Sequence, residues 1–185
     1  VGVTAGMPRN VAVGENDELA VALGVQKTWH EGEADRDLAI LRADWAANER
    51  LSLYGSAWVD LYGSGDEVKD GAELTELHLA ASYRGEDGYG LGAGLSHIAW
   101  PELMRNEFAA LPPGELSDAE VTRYWVSGWT DLGRHLRLSA RADHWTDEDD
   151  SGSGGSLRLG WRDVVIEDGE LGLEVFSNDG IFSSV

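Results

Sequence analysis

The chain has 185 residues, no cysteine and a formal charge of −20. That length suits one domain, the missing cysteines exclude a disulfide scaffold and any thiolate-held metal, and the acidity argues against a nucleic-acid partner, which needs basic patches. No apolar run reaches the roughly 18 residues of a membrane-spanning helix, so a closed β-barrel is the one backbone left that could cross lipid.

In chain order, ten segments read as strands: Val1–Val13, Glu18–Trp29, Asp37–Ala47, Arg50–Tyr62, Glu73–Arg84, Tyr89–Ala99, Glu120–Thr130, Arg134–Thr146, Ser156–Arg162 and Glu170–Phe176. Most exceed the ~5–6 residues of a soluble strand and match the ~9–11 that a tilted strand needs to cross a bilayer. Tight links with Gly, Asn and Asp turn chemistry (Gly14–Asp17, Asn48-Glu49, Gly85–Gly88, Asp131–Gly133 and the turn around Glu167–Gly169) alternate with longer ones at His30–Arg36, Gly63–Ala72, Trp100–Ala119 and Asp147–Gly155. This predicts an all-β fold, an antiparallel up-and-down meander with one short-looped and one long-looped end. Val1 heads the chain without a charged-then-apolar leader, so mature or internal sequence is expected. With tight turns on the periplasmic side, both chain ends fall outside. The expectation is therefore a single β-barrel domain over residues 1–185 that lacks strands at both ends, part of a transmembrane barrel of about 12 or more, with ten strands closing by themselves as the alternative.

Within the segments, parity separates two faces. Leu51, Leu53, Gly55, Ala57, Val59 and Leu61 alternate with Ser52, Tyr54, Ser56, Trp58, Asp60 and Tyr62. A period of two sends each set to its own side of a sheet. The apolar set continues through Leu19–Val25, Ala39–Trp45, Leu77–Tyr83, Leu91–Leu95, Leu136–Ala142, Leu157–Trp161 and Leu171–Val175, with no ionised member. A soluble core and a lipid-facing surface would both require that.

The opposite parity carries Arg42, Asp44, Asp60, Glu76, Arg84, Arg123, Arg137, Arg141, Asp143, Arg158, Arg162 and Glu174, together with His78 and several serines. Mid-strand arginine with little lysine suits a confined polar space, because the planar guanidinium pairs with carboxylate in a fork. Arginines of the seventh to ninth strands facing acids of the third to fifth would set a transverse field across a pore. Alternatively, these groups pair and plug a small barrel. Trp100–Ala119 is long enough to enter the lumen or cover its mouth. Trp29, Trp45, Tyr62, Tyr83, Tyr89, Trp100, Trp145 and Trp161 fall near strand ends, where interfacial girdles would put them.

Other motifs point to little chemistry. The glycines of Tyr89–Leu95 share one parity, which removes side-chain bulk from the inner face and does not form a nucleotide loop. Ser96-His97 and Asp143-His144 are sequence neighbours, so their side chains leave opposite faces and make poor catalytic pairs. The acidic loop of Asp147, Asp149 and Asp150 is a weak metal candidate without the spacing of a calcium loop; solvated acid is the plainer reading.

On strand period, loop asymmetry and polar inner face, the chain resembles bacterial outer-membrane β-barrel proteins as a class. The resemblance implies a passive, porin-like channel or envelope scaffold in the outer membrane. Its partners would be membrane lipids and a homo-oligomer or envelope complex, with no cofactor, no catalysis and no nucleic acid. Such proteins usually end on a strand with a terminal aromatic, whereas this chain ends Phe182-Ser-Ser-Val185. A soluble secreted acidic β-sheet binding protein is the second reading, and a barrel hydrolase with a site assembled from several strands the third.

Overall fold

The computed structural model describes residues 2–14, 17–30, 33–62, 71–99, 120–147, 149–162 and 169–179. These form ten strands and, among the described residues, no helix: β1 (Gly2–Gly14), β2 (Asp17–His30), β3 (Glu33–Ala46), β4 (Leu51–Tyr62), β5 (Gly71–Arg84), β6 (Tyr89–Ala99), β7 (Glu120–Leu132), β8 (Leu136–Thr146), β9 (Ser151–Arg162) and β10 (Glu170–Asp179). They hydrogen-bond in chain order as one antiparallel up-and-down sheet. Each strand touches only its sequence neighbours, so the sheet is a single layer with β1 and β10 as open edges.

Two links expected to be long are mostly strand. In His30–Arg36, β2 runs to His30 and β3 resumes at Glu33, pairing Trp29 with Ala34. In Asp147–Gly155, β9 begins at Ser151, with Thr146 opposite Ser151 and His144 opposite Ser153. Polar or glycine-rich composition lowers strand propensity, but a strand with neighbours on both sides satisfies its backbone whatever its side chains are. The loop asymmetry therefore rests on 63–70 and 100–119, which lie outside the described residues.

The tight turns use the residues read from the sequence. Gly88 and Gly133 adopt φ of 71° and 76°, a region that costs glycine little. Asn48 Oδ1 accepts the N–H groups of Arg50 and Leu51, each at 2.9 Å. One bulge interrupts the β4–β5 ladder, where the register jumps past Thr75. Its hydroxyl donates to Asp60 Oδ2 at 2.6 Å, and both residues are fully buried.

The register also measures strand inclination. One hydrogen-bonded row passes from Ser52 of β4 through Ser82, Gly92, Ser127 and Arg141 to Ser156 of β9. The hairpin after β3 lies at this row, whereas β9 continues six residues further, to Arg162, before its turn. Those six residues accumulate over five inter-strand steps, about 1.2 residues per step. At ~3.3 Å per residue and ~4.8 Å between strands, turns held at one level require a tilt of about 40°. Closed barrels tilt their strands by about 35–45°.

Candidate functional site: the two faces of the sheet

The apolar parity is turned outward and exposed. Leu23, Leu91, Leu173 and Val175 are 63%, 58%, 69% and 66% accessible, and nearly all exposed large apolar side chains share this face. The buried ones lie on the other. Leu38 (2% exposed) stands opposite Asp60, and Trp145 (4%) opposite Arg123; Ser56 and Asp60 are likewise buried there. Trp145, expected in an outer girdle, is therefore an inner-face residue: its odd position in β8 matches Arg141 and Asp143. Trp100 lies outside the described residues.

Tilt brings order to the outer face. With each residue climbing about 2.5 Å along the common normal, Trp45, Tyr83, Tyr89 and Trp161 return to within about one residue of a single level beside the tight turns, although the ladder scatters them over different rows. By register Arg9 stands opposite Val21, at this same level. About eight residues higher a polar line crosses the face: Lys27–Asp37 (3.0 Å), His97 Nδ1 with Thr122 Oγ1 (3.0 Å) and His144 Nδ1 with Ser153 Oγ (2.9 Å). Between the two boundaries, β2 to β10 present no Asp, Glu, Lys, Arg or His side chain on this face. The band is about 20 Å tall, close to the roughly 25 Å apolar belt of outer-membrane barrels.

The register puts all twelve charged candidates on the inner face: Arg42 and Asp44 from β3, Asp60 from β4, Glu76 and Arg84 from β5, Arg123 from β7, Arg137, Arg141 and Asp143 from β8, Arg158 and Arg162 from β9, and Glu174 from β10. They pair locally. Arg42 Nε lies 2.9 Å from Asp44, Arg123 lies 2.8 Å from Asp143, and Arg141 reaches the same carboxylate only at 3.9 Å. Arg137 forks onto both oxygens of Asp131 at 2.7 and 3.0 Å. Glu76 has His78 at 3.7 Å. Arg158 stands opposite Glu174 but bonds Glu170 at 2.8 Å, lying over Gly172, where a Cβ would sit 3.3 Å from its Nε.

Asp131 and Glu170 are partners that sequence reasoning missed. Asp131 reads as turn because a Gly follows two residues later, yet β7 runs to Leu132 and keeps it on the arginine parity. The five arginines of β7 to β9 thus share their stretch of the inner face with four carboxylates: Asp131, Asp143, Glu170 and Glu174. Charge is balanced mainly between near neighbours on one side, not between opposite sides.

Two indoles occupy the glycine parity of β6. A Cβ on Gly94 would lie 2.6 Å from Trp125 Nε1, and one on Gly90 would penetrate the Trp129 indole. Arginines of β8 cover the same rings, Arg137 at 4.0 Å from the Trp129 centroid and Arg141 at 4.9 Å from that of Trp125. Glycine, tryptophan and arginine thus stack in layers across three neighbouring strands. The sheet also curves around this face, since Ala20 of β2 and Trp125 of β7 line one cavity of about 420 Å³.

The acidic loop serves its own turn. Asp147 Oδ1 accepts the N–H groups of Asp149 (3.0 Å) and Asp150 (2.6 Å), and Asp150 Oδ1 that of Ser151 (2.7 Å). Among the described residues no three His, Asp or Glu side chains gather as a metal site. Ser96 and His97, like Asp143 and His144, occupy opposite faces.

No protein-family model, curated protein or solved structure matches this chain.

Proposed function

We propose that this chain forms the greater part of the wall of an outer-membrane β-barrel whose charged inner face lines a passive channel or a plugged envelope scaffold. The observation that carries the reading is the inverted burial. Across nine strands the leucine-rich face is exposed, bounded by aromatics on one side and hydrogen-bonded polar pairs on the other, while the arginine-bearing face curves inward. A monomer in water rarely exposes a contiguous apolar patch beyond a few hundred Å², whereas lipid requires one. Open edges of 13 and 10 residues at β1 and β10 are templates for strand addition, so further strands pairing there would bring the barrel to about 12 or more.

In this setting membrane lipids are the main partner, and the inner face conducts or blocks small solutes without catalysis. The test is reconstitution. The folded chain should require detergent, migrate differently on gels before and after heating, and conduct ions in a planar bilayer or seal it as a plugged scaffold. A monodisperse protein in plain buffer would overturn the proposal and favour the secreted, soluble alternative.

A further inference from the structure

The inner-face cavity has features that the channel reading leaves unused. One register row runs Asp44, Tyr54, Ala80, Gly94, Trp125, Asp143: acid, aromatic, small, small, aromatic, acid. Tyr54 and Trp125 both line the cavity, with Ala80, Ser52 and Ser82 between them and Asp44 at its margin. The two flanks repeat one design. Arg42 covers Tyr54 at 5.2 Å and is tied to Asp44 two residues along its strand; Arg141 covers Trp125 at 4.9 Å and reaches Asp143 two residues along its own. The aromatic on each flank is therefore held by a guanidinium with a carboxylate two residues along its strand, bonded to Arg42 on one flank and shared with Arg123 on the other.

This chemistry selects its ligand class. An anion finds Arg42 tied to Asp44, Arg141 beside an Asp143 carboxylate shared with Arg123, and the further negative charge of Glu18 in the lining, in a chain whose formal charge is −20. A cation finds the aromatic rings already holding guanidinium groups, which leaves Glu18 as the one lining carboxylate without a basic partner among the described residues. What remains is the apolar ring edges that the guanidinium groups leave open over a small-residue floor, with the Glu18 and Asp44 carboxylates and the mutually bonded hydroxyls of Ser52 and Ser82 (2.7 Å) within the same cleft. A neutral polyhydroxylated ring matches this, because its C–H surfaces pack on aromatic and alanine carbons while its hydroxyls donate to carboxylate and serine oxygens. The volume of about 420 Å³ falls in the roughly 300–1,000 Å³ range of small-molecule sites.

We infer that the Tyr54–Trp125 cleft is a saccharide-binding subsite for uncharged sugars. The inference rests on the proposed channel only in taking the inner face as the water-filled one.

The experiment is calorimetric titration of the full chain, folded in detergent micelles, with maltotriose and with glucose 6-phosphate, beside bilayer conductance on the same preparation. Saturable maltotriose binding with millimolar Kd is expected, weakened at least tenfold in Tyr54→Ala and Trp125→Leu. Ala80→Trp removes nothing from either flank and fills the floor, so it should abolish binding in a chain whose heat-dependent gel shift shows it folded. Absence of saturable binding up to about 50 mM, unchanged binding in Ala80→Trp, or tighter binding of glucose 6-phosphate than of maltotriose would overturn the subsite. A silent bilayer with binding intact would select the plugged scaffold over the channel and support the subsite, and a chain that binds maltotriose while monodisperse in plain buffer would overturn the membrane reading alone, so the two ideas fail separately.

Discussion

Replacing Leu79 by arginine separates a lipid-facing sheet from a water-facing one. Leu79 is 47% exposed on the outer face, with Gly55 and Leu95 as register partners. It lies about four residues above the aromatic level once tilt is included. At about 2.5 Å per residue that places it ~10 Å into a band ~20 Å tall, its midplane. An arginine at that depth costs about 2–4 kcal/mol, and one at the boundary about 0–1 kcal/mol. In water, an exposed leucine-to-arginine exchange stays within about 0.5 kcal/mol. Leu79→Ala supplies the baseline for lost packing over Gly55, where a Cβ would lie 3.3 Å from Leu79 Cδ2. Equilibrium denaturant unfolding from phospholipid vesicles should then rank Leu79→Arg well below Leu79→Ala, and Tyr83→Arg near wild type. Equal stabilities for Leu79→Arg and Leu79→Ala would refute the membrane assignment of this face.

On the inner face, Arg141→Gln should shift bilayer reversal potential toward cations more than Arg137→Gln. Arg137 is matched by a fork to Asp131, whereas Arg141 stands 3.9 Å from a carboxylate committed to Arg123. Identical selectivity in both variants would contradict that ordering. Gly94→Val should destabilise by about 1–3 kcal/mol in the same unfolding assay, because its Cβ enters the Trp125 indole. Gly133→Ala meets nothing within 4 Å and suffers only its positive φ, so a cost near 1 kcal/mol is expected. Thr75→Val should cost about 1–3 kcal/mol by removing a hydrogen bond from the buried Asp60 carboxylate, read as a lowered denaturant midpoint.

Parity was the legible part of the sequence. Alternation in Leu51–Tyr62 assigns each side chain to a face, and the register keeps every charged candidate on the face it suggested, because an antiparallel ladder pairs like with like. Extent was less legible. Ser151–Gly155 and Glu33–Arg36 look like loop because composition carries no information about neighbours that complete a ladder. Pairing was least legible, since Asp131 and Glu170 find their arginines through hairpin geometry and Trp145 is buried by curvature. The direction of curvature is what the period of two leaves open.

The tilt has a consequence for anything moving along the inner face. Residues joined by one hydrogen-bonded row do not share a depth. From Asp44 to Asp143 the row crosses five inter-strand steps, each displaced by about 3 Å along the normal, roughly 15 Å in all. The charged pairs are thus arranged as a screw thread. A solute would meet Arg42–Asp44 and Arg123–Asp143 one after the other, turning as it advances, and not as opposed plates at one constriction.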